Sequence, residues 1–356
     1  MPVLLDRGPL GHRLFTAEQQ IRAKAPPKFR RDDPNCIDVG LLNNMSDLAL
    51  EQTERQILKL LDAAAGHLLI RLRLYTLPDV PRGDWGQKHL NRLHYHSVKD
   101  LWNSNLDGLI VTGAEPSTAN LTQEPYWHSL TEVFDWADEN TSSTIASCLA
   151  VHAAVFHFDG IERHSLDQKC FGIFQFEKTF NDSLANGIPY RLLMPHSRWN
   201  QIHENALTSC DYKILTSSRD DGVDMFVKLK KALFVFFQGH PEYEAWTLLG
   251  EFRRDIGRFL QSERQDYPAM PRGYFDEEST RALDAFKIRA TANPGKELMA
   301  LFPTERFAGK LTDPWRSTAV QIYSNWLRYM ATRKTGRLRP VRSAAIPTTT
   351  ARQGKI

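Results

Sequence analysis

Cys148 is the residue of this sequence that is best placed to act as a catalytic nucleophile. It lies between a short apolar segment, residues 144–147, and an alanine-rich apolar segment, residues 149–158, a pattern that predicts a strand followed by a helix. A thiol at such a turn faces free backbone N–H groups, which favour the thiolate over the thiol. The same groups, including the N–H of Leu149, suit a developing oxyanion. Taken alone, a cysteine at a strand end is more often buried and inert.

His240 is the candidate general base. It comes shortly after the strongly apolar residues 233–237, which predict a buried strand, and Glu242 lies two residues later. If both strands belong to one parallel sheet, the imidazole and the thiol lie at the same edge, where a histidine can take the thiol proton and a carboxylate can fix the ring. Gly113 and Ala114 follow a third apolar run, and their small side chains would let the backbone approach an acyl group as a second oxyanion donor.

Predicted strands and helices alternate along most of the chain. Strand-like runs such as residues 37–42 and 106–112 are separated by segments with helical spacing, such as residues 46–65. This alternation predicts an α/β fold with a mostly parallel sheet and helices on both faces, of the flavodoxin-like type. In such sheets the ligand site lies beyond the carboxyl ends of the strands. The alternation stops after Pro268, and residues 275–330 are predicted to be helical.

The sequence divides into four predicted regions. They are an N-terminal extension (residues 1–34), a catalytic domain (residues 35–265), a C-terminal helical lobe (residues 266–330) and a basic tail (residues 331–356). The tail carries few large apolar side chains, so we expect it to be disordered.

Composition excludes several classes of protein. The net charge is only +3 over 356 residues, with Lys and Arg spread along the chain, so we expect no nucleic-acid partner. No apolar run approaches the ~18 residues of a membrane helix, and the first residues lack the apolar core of a signal peptide. We therefore expect a cytoplasmic protein with no membrane association. The four cysteines form no Cys-x-x-Cys pair, and we expect no disulfide framework and no metal site.

Several short stretches of the sequence resemble a known enzyme family. The cysteine after one strand and the His-x-Glu after a later strand resemble the class I glutamine amidotransferase fold. The local sequence is more similar to the homoserine O-acyltransferases that begin bacterial methionine biosynthesis. The matching stretches follow the family's order from about residue 36 to residue 330, and they are Gly40-Leu41-Leu42-Asn43, Thr53-Glu54-Arg55-Gln56, Leu106-Asp107-Gly108-Leu109-Ile110-Val111-Thr112-Gly113-Ala114, Glu124-Pro125-Tyr126-Trp127, Pro195-His196-Ser197-Arg198, Gly239-His240-Pro241-Glu242-Tyr243, Glu251-Phe252-Arg253-Arg254-Asp255 and Asn325-Trp326-Leu327.

The resemblance implies roles for individual residues. Cys148 would carry the acyl group as a thioester, with His240 as general base and Glu242 in support. Three residues fall where the family contacts substrate, namely Lys169, Ser197 and Arg254. A guanidinium suits the carboxylate of homoserine, which agrees with the position of Arg254 shortly after the base. The resemblance implies no cofactor, with succinyl-CoA and homoserine as small-molecule substrates. The apolar C-terminal helix, residues 315–330, favours a homodimer.

Two positions depart from the family pattern. Leu149 follows the nucleophile where many members have Trp, and residues 45–49 replace a Lys-Lys pair found in some members, which puts a role for a lysine there in doubt. The acyl donor depends on the loop after Ala114. The resemblance places Ser117 at the position where an acidic residue marks the acetyl type, so a succinyl donor is favoured. Glu115 lies close by, and a shift of two residues would reverse that inference.

Three other functions remain open from the sequence. The first is a homoserine O-acetyltransferase that uses acetyl-CoA. The second is a glutamine amidotransferase or γ-glutamyl hydrolase, although those enzymes favour Gly-x-Cys-x-Gly where this chain has Ser147-Cys148-Leu149-Ala150, and often a Gln where this chain has His152. The third is a non-catalytic α/β binding protein.

Overall fold

Ten strands of the described part of the chain form one sheet. The computed structural model describes residues 3–5, 33–114, 116–118 and 120–338. The strands are β1 (Val3–Leu5), β2 (Cys36–Leu42), β3 (Leu69–Tyr75), β4 (Gly108–Val111), β5 (Ser143–Ser147), β6 (His164–Lys178), β7 (Arg191–Gln201), β8 (Lys213–Ser218), β9 (Gly222–Leu229) and β10 (Leu233–Phe237). Their order across the sheet is β1-β3-β2-β4-β5-β10-β9-β8-β6-β7.

Helices connect the strands and cover the sheet. They are α1 (Asp47–Ala64), α2 (Asp84–Leu93), α3 (Val98–Trp102), α4 (Trp127–Asn140), α5 (Leu149–Asp159), α6 (Glu204–Ser209), α7 (Thr247–Leu260), α8 (Glu277–Ala292) and α9 (Arg316–Leu338). Four 3₁₀ segments accompany them, at Leu121–Gln123, Ser183–Ala185, Lys296–Leu301 and Thr304–Phe307. Within the described part of the chain, no helix is both long and apolar enough to cross a membrane.

The sheet has a parallel half and an antiparallel half. The six strands from β1 to β10 are parallel, and their central order, β3-β2-β4-β5-β10, is the flavodoxin-like order. The remaining strands, β9, β8, β6 and β7, pair antiparallel to their neighbours. The predicted α/β class and mostly parallel sheet are confirmed, and the antiparallel half is an addition that the sequence did not predict.

Both faces of the central strands β2, β4, β5 and β10 are buried, which explains their mainly apolar composition. In β10, Val235 and Phe237 join the core beneath α1 and α9, whereas Phe234 and Phe236 join the core beneath α4 and α5. A third apolar cluster, centred on α7 and α8, includes Trp315 and packs residues 283–315 against the helix that follows β10.

Two boundaries differ from the sequence prediction. Val3–Leu5, within the predicted extension, pairs in parallel with β3 and so belongs to the sheet. At the other end, α9 continues to Leu338, beyond the predicted start of the tail at residue 331. The physical reason is the ammonium group of Lys334, which donates to the Asp107 carboxylate and to the Cys36 carbonyl, each at 2.7 Å, and so fixes the last turns of the helix. The rest of the predicted extension before residue 33, the tail beyond residue 338 and Glu115 lie outside the described residues.

Candidate active site

The three predicted strand-end signals lie side by side. Gly113 follows β4, Cys148 follows β5 and His240 follows β10, and these strands are neighbours in the order β4-β5-β10. Because all three are parallel, their carboxyl ends meet at one edge of the sheet. The fold therefore brings the candidate nucleophile, the candidate base and the candidate oxyanion donor together.

Cys148 occupies a strained turn between β5 and α5. Its φ of 54° and ψ of −118° are unusual for a residue with a side chain. The turn is held by the Cys148 N–H, which donates to the Phe237 carbonyl at 2.9 Å. The thiol is half-buried at the N-terminal end of α5. This backbone is that of a nucleophile elbow, which projects the side chain beyond the sheet.

His240 and Glu242 form a buried pair. The His240 Nδ1 lies 2.8 Å from the Glu242 Oε1, and both side chains are less than a tenth exposed. The His240 N–H donates to the Pro195 carbonyl at 2.9 Å, and the ring stacks on Tyr243 with a centroid distance of 4.1 Å. Since Nδ1 faces the carboxylate, Nε2 is the nitrogen left for Cys148.

The charges around His240 favour its protonated form. Burial alone would lower the pKa of His240, but the negative charges of Glu242 and of the Cys148 thiolate, with hydrogen bonds to both, raise the pKa well above its usual range. An imidazolium paired with a thiolate is the arrangement that makes a cysteine nucleophilic at neutral pH.

Neighbouring candidates are unsuited to these roles. His152 lies one turn after Cys148, but burial and the charges of Arg163 and Arg198 lower its pKa to about 3, so it is neutral and a poor base. Burial raises the pKa of Cys170 to about 11, so its thiol stays protonated at neutral pH. Among the cysteines of the described chain, only Cys148 has a partly exposed side chain together with a positively charged histidine partner.

Gly113 contacts the residue after the nucleophile. A Cβ atom on Gly113 would lie 2.7 Å from the Leu149 Cβ and 2.8 Å from the Leu149 backbone N. Only glycine allows this close approach. The backbone of Gly113 therefore lies next to the backbone N–H of Leu149, and these two residues are the expected oxyanion donors. Ala114 is buried next to them.

Ser117 lies on an exposed loop that is held by Glu124. Its hydroxyl donates to the Glu124 Oε2 at 2.9 Å, and the Thr118 N–H donates to the Oε1 at 2.7 Å. Although burial opposes the charged form, these hydrogen bonds lower the pKa of Glu124. The expected donor-specificity loop is therefore anchored by a charged carboxylate, with the Ser117 hydroxyl turned towards it.

The three expected substrate contacts meet at two carboxylates of α7. The Lys169 Nζ lies 3.6 Å from Glu251 and 3.4 Å from Asp255, the Ser197 hydroxyl donates to Glu251, and the Arg254 guanidinium donates to Asp255 at 3.0 and 3.1 Å. Although burial opposes the charged form, Lys169 and Arg254 lower the pKa of Asp255. The cluster thus offers both signs of charge, which suits a zwitterionic amino acid.

Glu251 and Asp255 were missed in the sequence, as was Tyr243. The Tyr243 hydroxyl donates to Glu251, which links the cluster to the ring stacked on His240. A signal existed, because two acidic residues four positions apart lie on one face of a helix. Their spacing directly after the candidate base would have placed both carboxylates near the site.

Comparison with known proteins gives the family. The family model described as homoserine O-succinyltransferase matches residues 10–337. The chain belongs to the homoserine O-succinyltransferase family. Named members of this family include a protein of Rhodopseudomonas palustris, 46% identical over 83% of this chain and 88% of its own length, and one of Bradyrhizobium japonicum, 43% identical over 89% of this chain and 98% of its own length. Family membership makes the chain an acyltransferase.

Solved structures are similar at a lower level. A glutamine amido transferase from Methylobacillus Flagellatus is 12% identical, over 83% of this chain and 95% of that chain, with a TM-score of 0.45.

Proposed function

We propose that this enzyme transfers the succinyl group of succinyl-CoA to the hydroxyl of L-homoserine through a thioester on Cys148. The observation that carries the proposal is the buried His240–Glu242 pair facing a cysteine at a nucleophile elbow, in a homoserine O-succinyltransferase family member. The reaction is a step of methionine biosynthesis, and we expect it to take place in the cytoplasm without a cofactor.

In the first half-reaction, the Cys148 thiolate attacks the thioester carbonyl of succinyl-CoA. The carbonyl oxygen becomes an oxyanion beside the N–H groups of Gly113 and Leu149, which stabilise it by ~3 kcal/mol or more. The bond to the CoA sulfur then breaks. His240 gives its Nε2 proton to the departing CoA thiolate, which leaves a neutral imidazole and a succinyl thioester on Cys148.

Loss of the thiolate charge prepares His240 for the second half-reaction. That charge is one of the causes of the raised pKa of His240, so acylation of Cys148 lowers the pKa and favours a neutral base. The base removes the homoserine hydroxyl proton while the oxygen attacks the thioester carbonyl. The thiolate of Cys148 then leaves, and its charge again stabilises the imidazolium. General base catalysis of this kind contributes about 10²–10⁴-fold.

The cluster on α7 is the proposed homoserine site. Arg254 and Lys169 supply positive charge for the substrate carboxylate, and Glu251 and Asp255 supply negative charge for its ammonium group. Tyr243 joins this cluster to His240, so the hydroxyl of a bound homoserine would lie towards the base.

Intact-protein mass spectrometry tests the proposal. Incubation with succinyl-CoA should add one succinyl group at Cys148, and homoserine should discharge it faster than water does. Cys148→Ala should give no adduct, whereas Cys210→Ala, a matched change at the end of α6, should react like wild type. Faster labelling by acetyl-CoA would make the donor acetyl, and equal discharge with and without homoserine would point to a hydrolase. If neither donor labels the protein, the acyltransferase mechanism is wrong.

We also propose a homodimer formed through β7. This strand is an edge of the sheet and carries three exposed large apolar side chains on or next to it, Tyr190, Leu193 and Trp199. An edge strand of eleven residues that carries exposed apolar side chains favours pairing with a second copy. Sedimentation should give a dimer that Trp199→Lys weakens, and a monomeric wild type would refute it.

A further inference from the structure

A second buried histidine–carboxylate pair lies directly behind the catalytic loop. His196 on β7 and Asp224 on β9 are both completely buried. The His196 Nε2 lies 3.2 Å from the Asp224 Oδ1, and the other oxygen of Asp224 accepts from the Thr216 hydroxyl at 2.9 Å. Within the described chain, neither of the two facing atoms makes an aligned hydrogen bond, so the attraction between them is mainly electrostatic. The proposed mechanism uses neither residue, and a buried carboxylate costs free energy unless it is paired and hydrogen-bonded.

The protonation state of His196 follows from its neighbour Arg198. The Arg198 Nε donates to the His196 Nδ1 at 3.2 Å, and an arginine only donates, so the ring proton must be on Nε2. Burial and the positive charges of Arg198 and His240 lower the pKa of His196, which agrees with a neutral ring. Of these three side chains, Arg198 is positively charged, His196 is neutral and polarised by its two neighbours, and Asp224 is negatively charged.

Gly239 brings this pair into contact with the turn that carries the base. A Cβ atom on Gly239 would lie 2.7 Å from the Asp224 Oδ1 and 2.8 Å from the His196 Nε2, so the Gly239 backbone packs on both groups. On either side of it, the Gln238 N–H donates to the Asp224 carbonyl and the His240 N–H donates to the Pro195 carbonyl, each at 2.9 Å. The backbone of the base is thus fixed by the strands that carry Asp224 and His196.

We propose that Asp224 is a positioning residue for the general base: through His196 it fixes the Gly239–His240 turn so that the imidazole faces Cys148. The negative charge of Asp224 holds the Nε2–H side of the His196 ring, and Arg198 holds the opposite side. Without that charge nothing holds the Nε2–H side of the ring, and a tilt towards Gly239 would displace the turn, because the Gly239 backbone already packs against the ring. The positioning role of Asp224 rests on the proposed function in one respect, the assignment of His240 as the general base.

The charge of Asp224 also balances that of Arg198 near His240. Glu242 on its own loop and Cys148 on the β5–α5 turn act directly on His240, and the charge of His240 acts on His196 of β7. Arg198 on β7 and Asp224 on β9 act on His196 from the other side. Around the same loop, Glu251 on α7 faces Tyr243, and Tyr323 on α9 faces Glu242 and Arg316. Asp224→Asn keeps the shape of the side chain but leaves the charge of Arg198 unbalanced. A net positive charge disfavours the imidazolium of His240, and therefore the ion pair with Cys148.

Alkylation of Cys148 by iodoacetamide tests the proposal without any substrate. For Asp224→Asn, the pH midpoint of the alkylation rate should rise by about 1 unit, and the rate at neutral pH should fall about 10-fold. Asp221→Asn is the matched control, because its carboxylate pairs with Arg272, and Arg198 donates to its backbone carbonyl, which the substitution keeps. Circular dichroism and the unfolding midpoint should show that both variants fold. If Asp224→Asn does not fold, Thr216→Val tests the same contact and should move the midpoint in the same direction by a smaller amount.

The outcomes separate this inference from the proposed function. An unchanged midpoint in folded Asp224→Asn would overturn the positioning role, even if wild type forms the succinyl adduct. A shifted midpoint in Asp224→Asn with no shift in Asp221→Asn supports it, even if wild type accepts no acyl-CoA. An equal shift in both variants would mean a general charge effect and would also overturn the inference.

Discussion

Replacing Glu242 by Gln should disable the nucleophile without removing any atom of the Cys–His pair. The charge centres of Glu242 and of the His240 imidazolium are about 4 Å apart, which at an effective dielectric constant near 20 corresponds to ~4 kcal/mol. Loss of this charge should lower the pKa of His240 by up to ~3 units, because one unit corresponds to 1.36 kcal/mol. The population of the thiolate–imidazolium pair at neutral pH should then fall by up to ~10³-fold.

The sign of the effect follows from the raised pKa of His240. In the wild type, the imidazolium persists as the pH rises through neutrality, and the thiolate keeps its counter-ion. In Glu242→Gln the histidine loses its proton at lower pH, and the Cys148 thiolate then has no counter-ion. The midpoint of Cys148 alkylation by iodoacetamide should therefore move to higher pH, and the rate of succinyl-adduct formation at neutral pH should fall.

Glu244→Gln is the matched control for this measurement. Glu244 is two residues farther along and pairs with Arg55 and Lys59 at the surface. Its neutralisation should leave the alkylation profile of Cys148 unchanged. If the profile of Glu242→Gln also superposes on that of the wild type, Glu242 does not support the base and the electrostatic reasoning fails.

Three further predictions concern the oxyanion site, the homoserine site and the C-terminal helix. Gly113→Ala should slow succinyl-adduct formation by about 10²-fold, measured by rapid quench, because the new Cβ displaces an oxyanion donor. Arg254→Lys should raise the KM for homoserine about 10-fold or more in steady-state assays while leaving adduct formation unchanged, since a bidentate contact is lost. Lys334→Met should lower the free energy of unfolding in urea by about 1–3 kcal/mol, because the Asp107 carboxylate loses a charged donor.

Each of these variants has a control on the same chain. A Cβ atom on Gly250 would meet no other atom within 4 Å, so Gly250→Ala should form the adduct at the wild-type rate. Arg253→Lys changes the neighbouring exposed arginine, and its homoserine KM should stay within about twofold. Lys310→Met removes an exposed ion pair with Glu278 and should leave the unfolding midpoint in place. If a variant behaves like its control, the contact assigned to that residue does not contribute to the property that is measured.

The parallel half of the sheet was predictable because its signals are local. Four of its strands, β2, β4, β5 and β10, are short runs buried at every residue, and strands such as β4 and β5 are followed by small or polar residues such as Gly113 and Cys148. The catalytic edge then follows from one rule, that parallel strands end together. His240 and Cys148 could be placed side by side because their strands, β10 and β5, are immediate neighbours.

The antiparallel half could not be predicted in the same way. Strand β6 has fifteen residues and mixes exposed and buried positions without regular alternation, partly because its pairing register with β7 shifts between Ser165 and Cys170. Its partners are set by contacts between distant residues rather than by a local pattern. The homoserine cluster depends on this half, since Lys169 and Ser197 lie on β6 and β7. Their meeting with α7 could therefore be inferred only through family resemblance.

The position of α9 has a consequence for the order in which the protein can fold. This helix is formed by the last described residues, yet Trp326 and Met330 pack against Gly108, and the Trp326 Nε1 donates to the Ser143 hydroxyl at 2.9 Å. Until synthesis reaches α9, the apolar face of β2 and β4 has the cover of α1 but lacks that of Trp326 and Met330. The nascent chain must hold a nearly complete but open sheet on the ribosome, a state in which exposed apolar surface favours aggregation. Fusions or truncations that delay α9 should therefore reduce the yield of folded protein, even though the catalytic residues are made earlier.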